Sequence, residues 1–93
     1  MLKDFANKET ERVFRREFVR HLSPTVQRAA YKKLFMLDAA EVLNDLRIPP
    51  SNHLEKLSGV CKGQYSIRIN DQWRICFEWH DGDAYRVEIV DYH

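Results

Sequence analysis

From Gly63 onward the chain alternates apolar and polar residues with a period of two. Tyr65, Ile67 and Ile69 make one apolar row, opposed by Ser66, Arg68 and Asn70. Trp73, Ile75, Phe77 and Trp79 make the next, opposed by Arg74, Cys76 and Glu78. Tyr85, Val87 and Ile89 make the third, opposed by Arg86, Glu88, Val90 and Tyr92. Asn70-Asp71 and Asp81-Gly82 separate the rows, and these residues tolerate the left-handed backbone of tight turns. The pattern predicts a three-stranded antiparallel meander with one buried face and one open, concave face.

The first half has a helical period instead. Leu2-Lys3-Asp4-Phe5 alternates and fits a short strand. Asn7 then caps a helix with Glu9 and Glu11 in its first turn, where the helix dipole favours anions. Phe14, Phe18 and Leu22 recur every four residues and predict one apolar stripe running to Leu22. Ser23-Pro24 starts a second helix, joined to the first by one or two residues. That helix is predicted to run from Thr25 to about Leu46, with Phe35 and Met36 in its apolar face. Pro49-Pro50 ends it. An antiparallel helix hairpin should therefore cover one face of the sheet, with the second helix packed between the sheet and the first. Residues 51–63 read as a loop with a short extended piece, carrying His53, Lys56 and Lys62.

Composition narrows the class. Ninety-three residues fit one α+β domain with a single core. No apolar run is long enough to cross a membrane, and the N-terminus lacks the apolar region of a signal peptide, so a cytoplasmic protein is expected. Cys61 and Cys76 show no metal or redox spacing and read as reduced thiols, and the four histidines show no metal spacing. No cofactor or metal is expected. The net charge of +1 excludes a protein that grips nucleic acid by charge alone. The charge is divided, however: residues 1–62 hold twelve Lys/Arg against eight Asp/Glu, and residues 63–93 hold three against six.

Candidate chemistry lies on the predicted open face and its margins. Alternation places Arg68, Arg74, Arg86 and Tyr92 on that face. Arginines there can pair with Glu78 and Glu88 for solubility, or bind phosphate bidentately. A tyrosine beside them can stack on an unpaired base. The sequence closes on Asp91-Tyr92-His93, with Asp91 and His93 on the side opposite Tyr92 by alternation.

The segments Lys62-Gly63-Gln64-Tyr65-Ser66-Ile67, Asn70-Asp71-Gln72-Trp73-Arg74-Ile75 and Asp91-Tyr92-His93 resemble the HigB-type toxins of the RelE superfamily, the plasmid-maintenance killer proteins. The resemblance covers essentially the whole chain and implies a RelE-like fold as one domain over residues 1–93. It also implies a ribosome-dependent endoribonuclease that cleaves mRNA in the decoding site of the 30S subunit. On this resemblance the catalytic positions are His53, Arg74, Asp91, Tyr92 and His93. Lys56 and Arg68 match positions that hold the RNA backbone, and Lys62 is counted with them. The implied partner is a helix-turn-helix antitoxin, HigA-like, through which the toxin would reach operator DNA. Arg74→Ala is expected to abolish toxicity in a protein that stays folded. Two readings compete: a ParE-like relative acting on DNA gyrase, and a non-catalytic module whose open face docks a protein. His53 and the terminal Asp-Tyr-His argue against the first.

Overall fold

The computed structural model describes residues 1–57 and 63–91. Two helices, α1 (Lys8–Phe14) and α2 (Pro24–Ala39), precede a sheet of β1 (Glu55–Lys56), β2 (Gln64–Arg68), β3 (Trp73–His80) and β4 (Asp83–Asp91). Two 3₁₀ turns, Leu43–Arg47 and Pro50–Asn52, link α2 to the sheet. The strands lie in sequence order and every pair is antiparallel. Where alternation predicts a short strand, the N-terminal segment makes only two isolated parallel bridges to β4, Leu2 with Ala84 and Phe5 with Val87.

The helix starts are those expected. Asn7 accepts from the Thr10 N–H at 2.9 Å, and Ser23 accepts from the Val26 N–H at 3.2 Å with Pro24 behind it. The helix ends are not. α1 stops at Phe14, and Arg16 takes a left-handed backbone with φ 63°. One amide of α2 spans the end of the connection. Gln27 accepts from the Val19 N–H at 2.9 Å and donates to the carbonyls of Val19 and Leu22 at 3.2 and 2.9 Å. With those backbone groups satisfied outside a helix, Val19 and Leu22 turn into the core, and Phe18 is left 70% exposed. The four-residue stripe was therefore a coincidence of spacing.

α2 also ends early. The Asp45 carboxylate accepts from the N–H groups of Glu41 and Val42, which opens the helix after Ala39 and starts the first 3₁₀ turn. Those two bonds hold the Asp45 carboxyl below the ordinary carboxylate range. Phe35 faces outward, contrary to expectation, and touches Tyr31 with ring centroids 6.3 Å apart.

The core lies between α2 and the sheet. Leu34 and Leu37 of α2 meet Ile67, Ile75, Phe77 and Val87 from three strands, and all are fully buried. Burying a side chain such as Phe77 contributes about 1.5–3 kcal/mol. The third apolar row needs one correction. β4 carries a bulge opposite Cys76–Glu78, with Arg86 at φ 51°. The extra residue moves Tyr85 onto the face of Glu78 and lets Ala84 and Val87 take the core positions. Asp4 accepts from the bulged N–H of Arg86, so the N-terminal segment helps fix the irregularity. The Arg86 guanidinium lies 3.5 Å from Glu78 and is spent on that pair, well along β3 from Arg74.

Candidate active site

Strand register gathers the polar residues. On β2 and β3, Arg68 lies opposite Arg74 and Ser66 opposite Cys76; on β1, Glu55 lies opposite Ser66. The Arg74 side chain runs sideways across β2. Its Nε donates to Ser66 Oγ at 2.9 Å, and one terminal amino group donates to the carbonyl oxygens of His53 and Ser66 at 2.6 and 3.4 Å. The same amino group lies 3.7 Å from a Glu55 carboxylate oxygen. Ser66 is fully buried and Arg74 only 6% exposed. The predicted open face is therefore closed at this point, because residues 53–55 fold over it.

His53 sits where that covering segment begins. It ends the second 3₁₀ turn in a left-handed conformation, φ 45° and ψ 57°, with its N–H on the Pro50 carbonyl and its side chain exposed. The residue before it explains why it stays there. Asn52 is completely buried, and its Nδ2 donates to the carbonyls of Leu46 and Ile48 at 3.1 and 3.4 Å and approaches Met36 Sδ at 3.2 Å. Two carbonyl acceptors settle which end of the amide is NH₂, so Oδ1 must face the other way. There it accepts from Lys33 Nζ at 2.5 Å. Asn52→Ala leaves these buried groups unpaired. It is expected to cost about 1–3 kcal/mol of stability, read as a lowered urea midpoint with unchanged slope.

Lys33 reaches this point from α2. Its pKa is lowered first by burial, then by the charges of Arg68 and Lys32. Arg68 is partly exposed and pairs with the fully exposed Asp71 of the following turn. Arg68, Arg74, Lys33 and the His53 loop thus share one end of the sheet.

The remaining expected residues divide. Val90 of β4 lies opposite Arg74, so β4 runs out beside the same end of the sheet. Asp91 lies opposite Trp73, on the side away from Arg74 as alternation predicts, and accepts from Gln72 Nε2 at 3.2 Å. Lys56 is exposed but lies opposite Tyr65, so the register puts Glu55 rather than Lys56 on the Arg74 side. Lys62, Tyr92 and His93, like Cys61, lie outside the described residues. Sequence reading did not single out Asn52, Lys33 or Ser66. The one available signal was the asparagine immediately before the loop histidine, an amide able to bond two carbonyls at a chain reversal.

The chain matches the family model described as the RelE-like toxin of the type II toxin–antitoxin system HigB over residues 3–93. It belongs to the HigB-like toxin family. Toxin HigB-1 of Vibrio cholerae serotype O1 is 42% identical over 85 residues, covering 90% of each chain. Endoribonuclease HigB of Proteus vulgaris is 42% identical over 40 residues, 43% of this chain and 44% of that one. Among solved structures, the Staphylococcus aureus YoeB–YefM complex superimposes with a TM-score of 0.58 at 19% identity, covering 100% of this chain and 98% of that one. A YafQ mutant from E. coli gives 0.56 at 17% identity, covering 94% and 89%. At that identity the two structures show the shared fold, two helices on an antiparallel sheet, and membership in a HigB-like family supplies an antitoxin as partner. No helix among the described residues is long and apolar enough to cross a membrane.

Proposed function

We propose that this HigB-like toxin is an endoribonuclease that cuts mRNA in the ribosomal decoding site, with His53, Asp91, Tyr92 and His93 at the reacting groups. The observation that carries the reading is the 2.6 Å bond from Arg74 to the His53 carbonyl. It ties the backbone of an exposed loop histidine to a strand arginine twenty-one positions away, at the end of the sheet that carries Arg68 and Lys33. The Proteus vulgaris relative, named an endoribonuclease, supports the same reading.

Metal-free cleavage needs three services. The 2′-OH oxygen attacks the adjacent phosphorus while a base takes its proton. The O2′–P bond forms and the P–O5′ bond breaks, and an acid gives a proton to the leaving O5′. The products are a 2′,3′-cyclic phosphate and a 5′-hydroxyl. His53 and His93 form the proton-transfer pair, because an imidazole can both accept and donate a proton. Asp91 orients a histidine or acts as the base, and Tyr92 stacks on or positions a nucleobase. Cations offset the extra negative charge on the non-bridging oxygens of the phosphorane. The burial of Arg74 changes the part it plays: it is a positioning residue that holds the His53 loop and adds positive potential from beneath. Arg68 is the more accessible phosphate contact.

The small net charge fits a substrate presented by a larger particle, because an RNA chain held by the ribosome need not be captured by the toxin alone. The proposed partners are the 30S decoding site with its mRNA and a helix-turn-helix antitoxin that carries the toxin to operator DNA. The setting is the cytoplasm. Incubating purified toxin with an mRNA, with and without ribosomes programmed by it, tests the proposal. Cuts are expected only with ribosomes, and none from His93→Ala. Cleavage of free RNA alike would remove the ribosome from the reading. Growth arrest without any cleavage would replace it with a gyrase-type target.

A further inference from the structure

We infer that Lys33 of α2 and Arg68 of β2 form an RNA phosphate subsite held in fixed register with His53, an inference that rests on the RNA-cleaving reading above. Lys33 comes from the helix layer, and nothing in its sequence context marks it as a nucleic-acid contact. Its ammonium is nonetheless brought to the margin of the sheet and fixed there by the bond to Asn52 Oδ1 at 2.5 Å. That acceptor cannot rotate away, because the other end of the amide is committed to Leu46 and Ile48 inside the protein. One of the three ammonium protons is thereby used, and two donors are left to point elsewhere.

The surroundings favour an anion. Among the described residues, no carboxylate lies within 4 Å of Lys33. Its charged neighbours are Arg68 and Lys32, both cations. Arg68 has a carboxylate, but it belongs to Asp71, whose side chain is 98% exposed and, among the described residues, is held by this turn-edge pair alone. An exposed pair of that kind is weak and readily exchanged for a better anion. A phosphodiester between Lys33 and Arg68 replaces cation–cation repulsion with two charge-assisted contacts. The geometry also links binding to chemistry. The asparagine that fixes Lys33 immediately precedes His53, and the Arg74 bond fixes the His53 carbonyl. A phosphate held here stands in register with the fixed His53 backbone, so contacts along the RNA backbone would place the scissile bond within reach of that residue.

The test separates charge from scaffold. Lys33→Gln keeps an N–H donor and removes the charge; Lys33→Arg keeps the charge. On programmed ribosomes, Lys33→Gln is expected to raise KM about tenfold with kcat within about twofold, and Lys33→Arg to return KM to within about threefold. The effect should shrink as salt rises, with a slope about 0.7 smaller in the variant for one phosphate lost. It should also shrink as pH rises toward the ordinary lysine range, sooner than for an unperturbed lysine, because burial and the neighbouring cations lower the Lys33 pKa. Binding to ribosomes without mRNA identifies the RNA. A Lys33→Gln defect present there assigns the phosphate to ribosomal RNA, and a defect only with mRNA assigns it to the message. An arm independent of activity uses inorganic sulfate, followed by NMR. Lys33 and Arg68 signals are expected to shift in the wild type, and the Arg68 signal to stay in place in Lys33→Gln. A KM unchanged in Lys33→Gln, a loss of kcat that arginine fails to restore, or no sulfate response in the wild type would overturn the subsite. If the wild type cuts no RNA, the parent reading fails, and the sulfate arm still decides whether the anion site exists.

Discussion

Arg74→Ala is expected to lose stability before it loses chemistry, by about 2–4 kcal/mol. The substitution removes a guanidinium that is 6% exposed. It strands the fully buried Ser66 hydroxyl and the carbonyl of His53, and it removes the cation facing Glu55. A small domain has only about 5–15 kcal/mol in total, so the loss is a large share. This revises the expectation of a folded, inactive variant, which follows only if Arg74 stands on an open face. Arg74→Lys keeps the charge but cannot span Ser66 and His53 with one planar group, so a smaller loss of stability should accompany a large loss of cleavage. Urea unfolding of both variants, beside cleavage on programmed ribosomes, gives the answer. An Arg74→Ala protein within about 1 kcal/mol of the wild type would show that the arginine does not hold the loop.

His53→Asn should behave in the opposite way. Its imidazole is exposed, so little packing is lost. Its backbone is left-handed, and asparagine is among the residues that tolerate that conformation. Stability should change by no more than about 0.5 kcal/mol. Asparagine cannot transfer a proton near neutral pH, and the loss of a general acid or base typically lowers rates about 10²–10⁴-fold. Cleavage should fall by that order, while the variant still binds programmed ribosomes with near-normal affinity. Undiminished cleavage by a folded His53→Asn would remove the histidine from the reaction and leave the terminal residues to carry it. Together the two variants separate the residue that builds the site from the one that reacts in it.

The residues that proved legible are those whose structure is set within a few positions along the chain. Asn7 and Ser23 cap the helices they precede, because a cap bond spans three residues and needs nothing else from the fold. The alternation from Tyr65 to Phe77 gave strand faces that the register confirms. Helix ends were misjudged for the complementary reason. Gln27 decides that Phe18 lies outside, and Asp45 decides that α2 stops at Ala39, each through side-chain bonds to backbone that helical spacing does not display. The bulge in β4 likewise moved Tyr85 out of the apolar row, and the N-terminal segment that helps fix it lies some eighty positions away.

The sequence by itself determined the family, the helix starts, the strand pattern and the kinds of side chain available for RNA chemistry. Motif residues carry that information locally, and a period of two can be read without knowing what the strand packs against. Only the tertiary structure decided that Arg74 is buried, that residues 53–55 close over the sheet, and that Lys33 stands beside Arg68. Burial and charge proximity depend on which distant segments meet. Here a buried asparagine joins the helix layer to the loop through Lys33, Leu46 and Ile48, contacts between segments up to nineteen positions apart.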